Sequence, residues 1–266
     1  MPERPRARLD LTLVERGLAE SREKAQGLIM AGRVRVDGQP VAKAGAAVRA
    51  GATVEVRPGP EHVGRGALKL IGALEAFGVD PRDRVAIDVG ASTGGFTEVL
   101  LARGARRVYA VDVGRGQLHE ALRGDARVVV LEGVNARYLS PSEIGERCGL
   151  ATMDVSFISV LKILPALSAV LEPAADLVVL VKPQFELARR DVGRGGIVKE
   201  PALHRRALES VARGAQDEAG YALVGACASP ITGADGNREF FLHLRPSGPP
   251  LPKERREAMI ASVLEP

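Results

Sequence analysis

The sequence predicts an α/β protein: a doubly wound parallel sheet with a small α+β module ahead of it. Three observations carry that expectation. From Arg84 onward, short apolar runs alternate with helix-like stretches, an order that puts helices on both faces of a parallel sheet. The first apolar run ends in a glycine-rich turn that opens a helix. The positive excess is confined to the start of the chain. Residues 1–57 hold 11 Lys and Arg against 7 Asp and Glu, whereas residues 58–266 hold 26 of each.

In the first module, Ala25, Leu28 and Ile29 are spaced as one face of a helix, with Ser21 placed to cap it and Gly32 to stop it. Val34 and Val36 alternate with charged residues as a half-buried strand does. Asp37-Gly38 then turns the chain, and Val54-Glu55-Val56 closes the module as a second alternating strand. Residues 58–64, PGPEHVG, read as a linker. The expected domains are therefore 1–57 and 65–266.

In the second domain VAIDVG, RRVYAVDV, ARVVVLEG, LATMDVSF and ADLVVLVKP read as buried strands. Helix-like segments cover 95–103, 116–123, 159–171 and 201–219. YALVGACASP and REFFLHLR have only a turn-rich segment between them, so an antiparallel hairpin should flank the sheet. A short amphipathic helix is expected within 249–264.

Composition excludes several classes. With 45% hydrophobic and 26% charged residues over 266 positions, the chain can bury a core. Its two cysteines, Cys148 and Cys227, match no metal-binding spacing, and the four histidines show none either. No apolar run approaches the roughly 18 residues of a membrane span. MPERPRARLD has no apolar stretch behind its charges, so no signal peptide is expected. A monomer in the cytoplasm, without metal or membrane, is the expectation.

The turn Asp88-Val-Gly90-Ala91-Ser92-Thr-Gly94-Gly95-Phe96 lies at the carboxyl end of the first strand, where small residues let a ligand approach the backbone. Its spacing is neither the dinucleotide fingerprint nor a P-loop. Asp112, followed by Val113, lies 22 residues beyond Gly90, at the tip of the next strand. There a carboxylate can accept both hydroxyls of a ribose. Together these features resemble the S-adenosylmethionine site of class I methyltransferases, a Rossmann-like fold. The resemblance adds Asn135, after the third strand, as a contact to adenine.

Lys69, Asp154, Lys182 and Glu239 are scattered in sequence, yet the fold brings Asp154 and Lys182 to one edge of the sheet. Taken singly, each reads as an ordinary paired or surface charge. As a set they resemble the Lys-Asp-Lys-Glu tetrad of FtsJ-like ribose 2′-O-methyltransferases. The chemistry suits the set. A ribose hydroxyl must lose its proton as it attacks, and a lysine with a pKa lowered by burial and a neighbouring cation can take it. Lys182 is the expected base and Lys69 its cationic neighbour. Asp154 and Glu239 would orient the lysines, with Asp154 also holding the hydroxyl against the methyl donor.

RLDLTLVERGLAESREKAQGLIMAGRVRVDGQPV resembles an S4 RNA-binding domain, which implies RNA contacts from Arg4, Arg6, Arg22, Lys24, Arg33 and Lys43. With RGALKL, DVGASTGGF, VYAVDVGRGQL, MDVSFIS, VKPQFE, VGRGGIVKE and GNREFF in this order, the chain closely resembles the TlyA family. Its members are bacterial rRNA cytidine 2′-O-methyltransferases, often labelled hemolysins. The resemblance implies 16S or 23S rRNA within ribosomal subunits as substrate, and the termini look like the longer form that acts on both. Three rival readings are weaker. A pore-former lacks a spanning segment, a non-catalytic assembly factor has no reason to keep the tetrad, and a small-molecule methyltransferase leaves the S4-like module unexplained.

Overall fold

The computed structural model describes residues 6–30, 32–57 and 62–264. The chain divides into two compact units, Met1–Glu61 and His62–Pro266.

The first unit runs β1 (Arg6–Arg8), α1 (Leu9–Glu15), α2 (Arg22–Met30), β2 (Val34–Val36), β3 (Gln39–Pro40), β4 (Ala47–Arg49) and β5 (Val54–Val56). Ser21 Oγ accepts the Lys24 N–H at 3.2 Å, and Gly32 leaves α2 at φ +68°. Asp37 and Gly38 both have positive φ, as the two-residue turn joining β2 to β3 requires. β2 pairs antiparallel with β3 and β5, while β1 pairs with β4, a ribbon the sequence pattern did not reveal. Leu9, Leu13, Ala25, Ile29, Val34 and Val48 form the core. Asp10 is buried beside them and accepts from Arg8, Arg22 and Gln26 at 2.9–3.0 Å. The hydrogen bonds from Arg8 lead in holding its carboxyl well below the usual range.

The second unit runs α3 (Gly66–Phe77), β6 (Val85–Val89), α4 (Gly95–Ala102), β7 (Arg107–Asp112), α5 (Glu120–Arg123), β8 (Val128–Glu132), α6 (Pro141–Ile144), β9 (Cys148–Met153), α7 (Leu164–Val170), β10 (Leu171–Val181), α8 (Pro183–Glu186), α9 (Pro201–Asp217), β11 (Ala222–Ala228), β12 (Phe240–Arg245) and α10 (Lys253–Ser262). The sheet order is β11-β12-β10-β9-β6-β7-β8, with β12 antiparallel to both its neighbours. The expected hairpin is therefore present, its second strand inserted between its first and the parallel strands.

Alternation sends the strand side chains to two cores. Val178, Leu180 and Phe241 meet Leu70 and Leu74 of α3 and Leu100 of α4. Val179, Val181 and Phe240 meet Leu167 of α7, Leu208 and Val211 of α9, and Ile260 of α10. Burial on both faces explains why these strands read as continuous apolar runs.

Some boundaries differ from the sequence reading. Residues 62–64, expected in the linker, join the second unit: Val63 N–H donates to Glu98 Oε2 at 3.0 Å and His62 Nδ1 lies 3.3 Å from the same oxygen. The helix expected over 116–123 shrinks to α5 because Glu132 accepts the N–H groups of Gly116, Gln117 and Leu118. The helix expected over 159–171 begins at Leu164, after a separate 3₁₀ turn at Val160–Lys162.

Candidate active site

Strand register assembles the site. Met153 of β9 is level with Val89 of β6 and Val179 of β10, and Val181 of β10 faces Phe240 of β12. Gly90, Asp154, Lys182 and Glu239, each one step beyond these strands, therefore share the carboxyl edge of the parallel set. Opposed residues of an antiparallel pair share a face, so Lys182 and Glu239 point to the α3 side. Lys69 comes from α3 itself, whose Ala67, Leu70, Ala73 and Leu74 are buried against that face.

Four charges meet there as two pairs. Lys182 Nζ lies 2.5 Å from Asp154 Oδ1 and donates to Ser156 Oγ at 3.0 Å. Lys69 Nζ lies 2.6 Å from Glu239 Oε2. In both pairs the carboxylate oxygen is buried and the approach is off the angle of a hydrogen bond, so the contacts are ionic and leave lone pairs unused. A Cβ on Gly66, one turn before Lys69, would come within 4.0 Å of Asp154 Oδ2, which sets the start of α3 beside the Lys182–Asp154 pair.

The glycine-rich turn packs tightly on its own protein. Gly90 has φ +83°, and a side chain there would strike the Asp154 carbonyl. Gly94, at φ +99°, would strike Leu118 and Leu122. A Cβ on Gly95 would sit 3.0 Å from the Ala67 nitrogen. Gly94 is thus explained by packing, and it lines neither cavity at the turn. Asp88 is held by the protein itself. It is fully buried, and its carboxylate accepts from Thr97 Oγ1 at 2.7 Å and Thr152 Oγ1 at 2.9 Å. Burial pushes its pKa up to about 7 against those two bonds. It braces the turn from behind and lines neither cavity.

A cavity of about 470 Å³ opens on the other side of the turn, lined by Gly90, Ser92, Asp112, Val113, Asn135 and Asp154 among others. A smaller one of about 130 Å³ holds Ala91, Gly95 and Phe96. Asp112 Oδ2 accepts the Ser92 N–H at 2.8 Å and Oδ1 the Gly114 N–H at 2.7 Å. Each oxygen keeps a further lone pair for a ligand. Asn135 spends its side-chain oxygen on the Arg137 N–H at 3.1 Å.

Three site features escaped the sequence reading. Ser156 anchors Lys182. Phe157 is 91% exposed at φ +65°, lines the larger cavity and lies 5.0 Å from the Phe185 ring. Glu186 accepts from Ser159 Oγ at 2.6 Å and Val160 N–H at 2.9 Å, tying the segment after Lys182 to the segment after Asp154; burial raises its pKa. The only signal was their place in MDVSFIS and VKPQFE.

Of the cations expected to meet RNA, Arg22 is bonded to buried Asp10 at 3.0 Å, so it also holds the module together. Arg33 Nε donates to the Arg57 carbonyl at 3.0 Å. Lys24 and Lys43 are exposed. Arg4 and the side chain of Arg6 lie outside the described residues.

Comparison with known proteins agrees with this geometry. Residues 62–246 match the FtsJ-like methyltransferase family and residues 7–54 the S4 domain. The chain is 53% identical over 242 residues to the 16S/23S rRNA (cytidine-2′-O)-methyltransferase TlyA of Mycobacterium tuberculosis, covering 90% of each. It is 34% identical to the 23S rRNA (cytidine-2′-O)-methyltransferase TlyA of Campylobacter jejuni, over 68% of this chain and 70% of that one. A solved structure from Streptococcus thermophilus, described as a hemolysin, superposes with TM-score 0.73 at 40% identity, covering 97% of this chain and 96% of that one.

Proposed function

Since the chain belongs to the TlyA family of FtsJ-like methyltransferases, we propose that it methylates the 2′-hydroxyl of cytidine in ribosomal RNA, with S-adenosylmethionine as donor. The observation that carries this reading is the convergence of the Lys182–Asp154 and Lys69–Glu239 pairs beside the cavity that Gly90 and Asp112 line.

The cavity suits the donor. Its volume lies in the range of small-molecule sites, and it combines a carboxylate with free lone pairs and apolar walls. Asp112 would take the ribose hydroxyls, the backbone around Gly90 and Ser92 the amino-acid portion, and Val113 and Asn135 the adenine side. When bound, the donor supplies a methyl group already activated by its sulfonium.

The chain's own residues then have defined tasks. Asp154, packed between Gly90 and the start of α3, orients the cytidine hydroxyl. Lys182 Nζ takes the hydroxyl proton as the oxygen attacks. Lys69, held by Glu239, stabilises negative charge developing on that oxygen. Both pairs are nearly dry, which strengthens each electrostatic contact. The S4 unit contributes binding to RNA phosphates and a salt-dependent affinity.

Similarity over 90% of the M. tuberculosis enzyme, against 70% of the C. jejuni one, supports 16S and 23S rRNA together as substrates. No described helix is long and apolar enough to cross a membrane, which gives the pore-forming reading no support. Mass mapping of 16S and 23S rRNA after incubation of subunits with protein and donor tests the proposal. One methylated cytidine in each rRNA is expected. Absence of any 2′-O-methylcytidine would overturn it.

A further inference from the structure

Outside the S4 unit the chain is charge-neutral, yet one segment departs sharply from neutrality. Residues 187–200, LARRDVGRGGIVKE, carry Arg189, Arg190, Arg194 and Lys199 against Asp191 and Glu200. Asp191 is engaged by Arg206 of α9. All four cations are exposed, and among the described residues none has a carboxylate oxygen within 4.0 Å. Nearby cations do find such partners, as Arg205 does with Glu209 and Lys253 with Glu257. Four exposed cations outnumber the segment's two carboxylates, one of which is already engaged, and leave the net positive surface that a polyanion needs.

The segment is also built rather than loose. Asn237, 2% exposed, accepts the Val198 N–H at 2.9 Å and donates to the Gly196 carbonyl at 2.9 Å. Gly193 N–H donates to Ile197 O at 3.1 Å, and His204 Nε2 lies 3.0 Å from Val198 O. Gly195 and Gly196 turn the chain at φ +73° and +77°. A groove of about 570 Å³ is lined by Arg190, Arg194 and Lys199 together with Asp191 and Glu200.

Its position in the chain ties it to the reaction. The segment leaves α8 directly after Lys182, and its anchor Asn237 stands two residues before Glu239. Between them lies Arg238, exposed and with its guanidinium 5.5 Å from the Phe240 ring centroid. A surface fixed to both the base and its opposite carboxylate moves with the site.

We propose that residues 189–199, with Arg238, form a second RNA-binding surface, one that grips phosphates flanking the target nucleotide. This rests on the rRNA-methylating reading above. Arginine suits the role because its planar fork matches phosphate oxygens in pairs. The S4 unit then supplies affinity, while this surface sets the register of the strand entering the site.

The test uses the full chain and transcribed 16S and 23S rRNA. Arg189, Arg190, Arg194 and Lys199 are replaced together by Gln, and separately as the pairs Arg189/Arg190 and Arg194/Lys199. A control removes the same charge elsewhere by Arg205→Gln, Arg213→Gln, Lys253→Gln and Arg255→Gln. Losing each phosphate contact lowers the slope of log K against log salt by about 0.7–0.9. The fourfold variant should therefore lose roughly 3–4 in slope and about 10–100-fold in affinity near 0.15 M salt, with each pair losing about half of the slope. The donor's affinity and the melting temperature should stay at wild-type values. An equal loss in the control set, or wild-type slopes in the loop variants, would overturn the proposal. So would a loss of binding confined to assembled subunits, because the cations would then face protein. If wild-type chain neither binds nor methylates either rRNA, the functional reading itself fails, a result distinct from all of these.

Discussion

Strand β10 carries charge at its middle and just past its carboxyl end, and the two places are built differently. At its midpoint Asp176 is 8% exposed and surrounded by donors: Arg84 Nη1 at 2.8 Å, Arg245 Nε at 2.9 Å and His243 Nε2 at 2.8 Å. Burial pushes its pKa up, but the bonds from His243, Arg84 and Arg245 outweigh burial and hold it well below the usual carboxylate range. Just past the carboxyl end, Lys182 and its neighbours meet carboxylates off-angle and leave buried oxygens without hydrogen bonds. The first network is saturated and can only stabilise. The second leaves two buried oxygens without hydrogen bonds and reaches the cavity through Asp154, and this is where local rules are expected to yield to chemistry.

The contrast breaks most sharply at Lys182. Lys182→Ala should lose on the order of 10²–10⁴ in single-turnover rate, with RNA and donor still bound. The Asp176 network should respond the other way. Asp176→Ala strands three donors and should cost about 3–5 kcal/mol of stability, measured by denaturant unfolding, with the rate of the folded fraction unchanged. The contribution of Asp176 is present above the unfolded pKa near 3.8 and is lost as pH falls through its lower folded value.

Smaller effects sharpen the picture. Asp112→Ala should weaken donor binding by about 1–3 kcal/mol, read by calorimetry; unchanged affinity would remove Asp112 from the site. Asp88 has the reverse linkage, because its folded pKa is raised to about 7. Its stabilising contribution is full below pH 3.8 and is lost as pH rises through about 7. Asp88→Asn should therefore be more stable than wild type by about 1–2 kcal/mol at pH 8 and lose that advantage near pH 4. Thermal melts across that range would disclose a wrong assignment as parallel curves.

The sequence made the scaffold legible because buried parallel strands announce themselves. VAIDVG and LVVLVK are apolar on both faces, and their ends mark the ligand edge. The tetrad was legible through motif resemblance, and the strand register explains why residues 69, 154, 182 and 239 meet. Asp88 was ambiguous in sequence because an acidic residue before a glycine turn suits a ligand as well as a brace. The hydroxyls of Thr97 and Thr152 that hold it could not be read there, and Thr152 is 64 residues away. Gly94 was ambiguous for a similar reason, since its packing partner is Leu122 on a later helix. Pairings that depend on distant elements, such as Asn237 with Gly196 and Val198, leave no periodic trace.

The central claim is that the carboxyl edge is there for proton transfer and not for stability. Lys182→Arg tests it most directly, because arginine keeps the charge beside Asp154 but does not give up its proton near neutral pH. Single-turnover methylation of ribosomal subunits should fall by at least about 10²-fold, while the melting temperature and donor affinity stay close to wild type. A near-normal rate in that variant would contradict the account, and would move the base to Lys69.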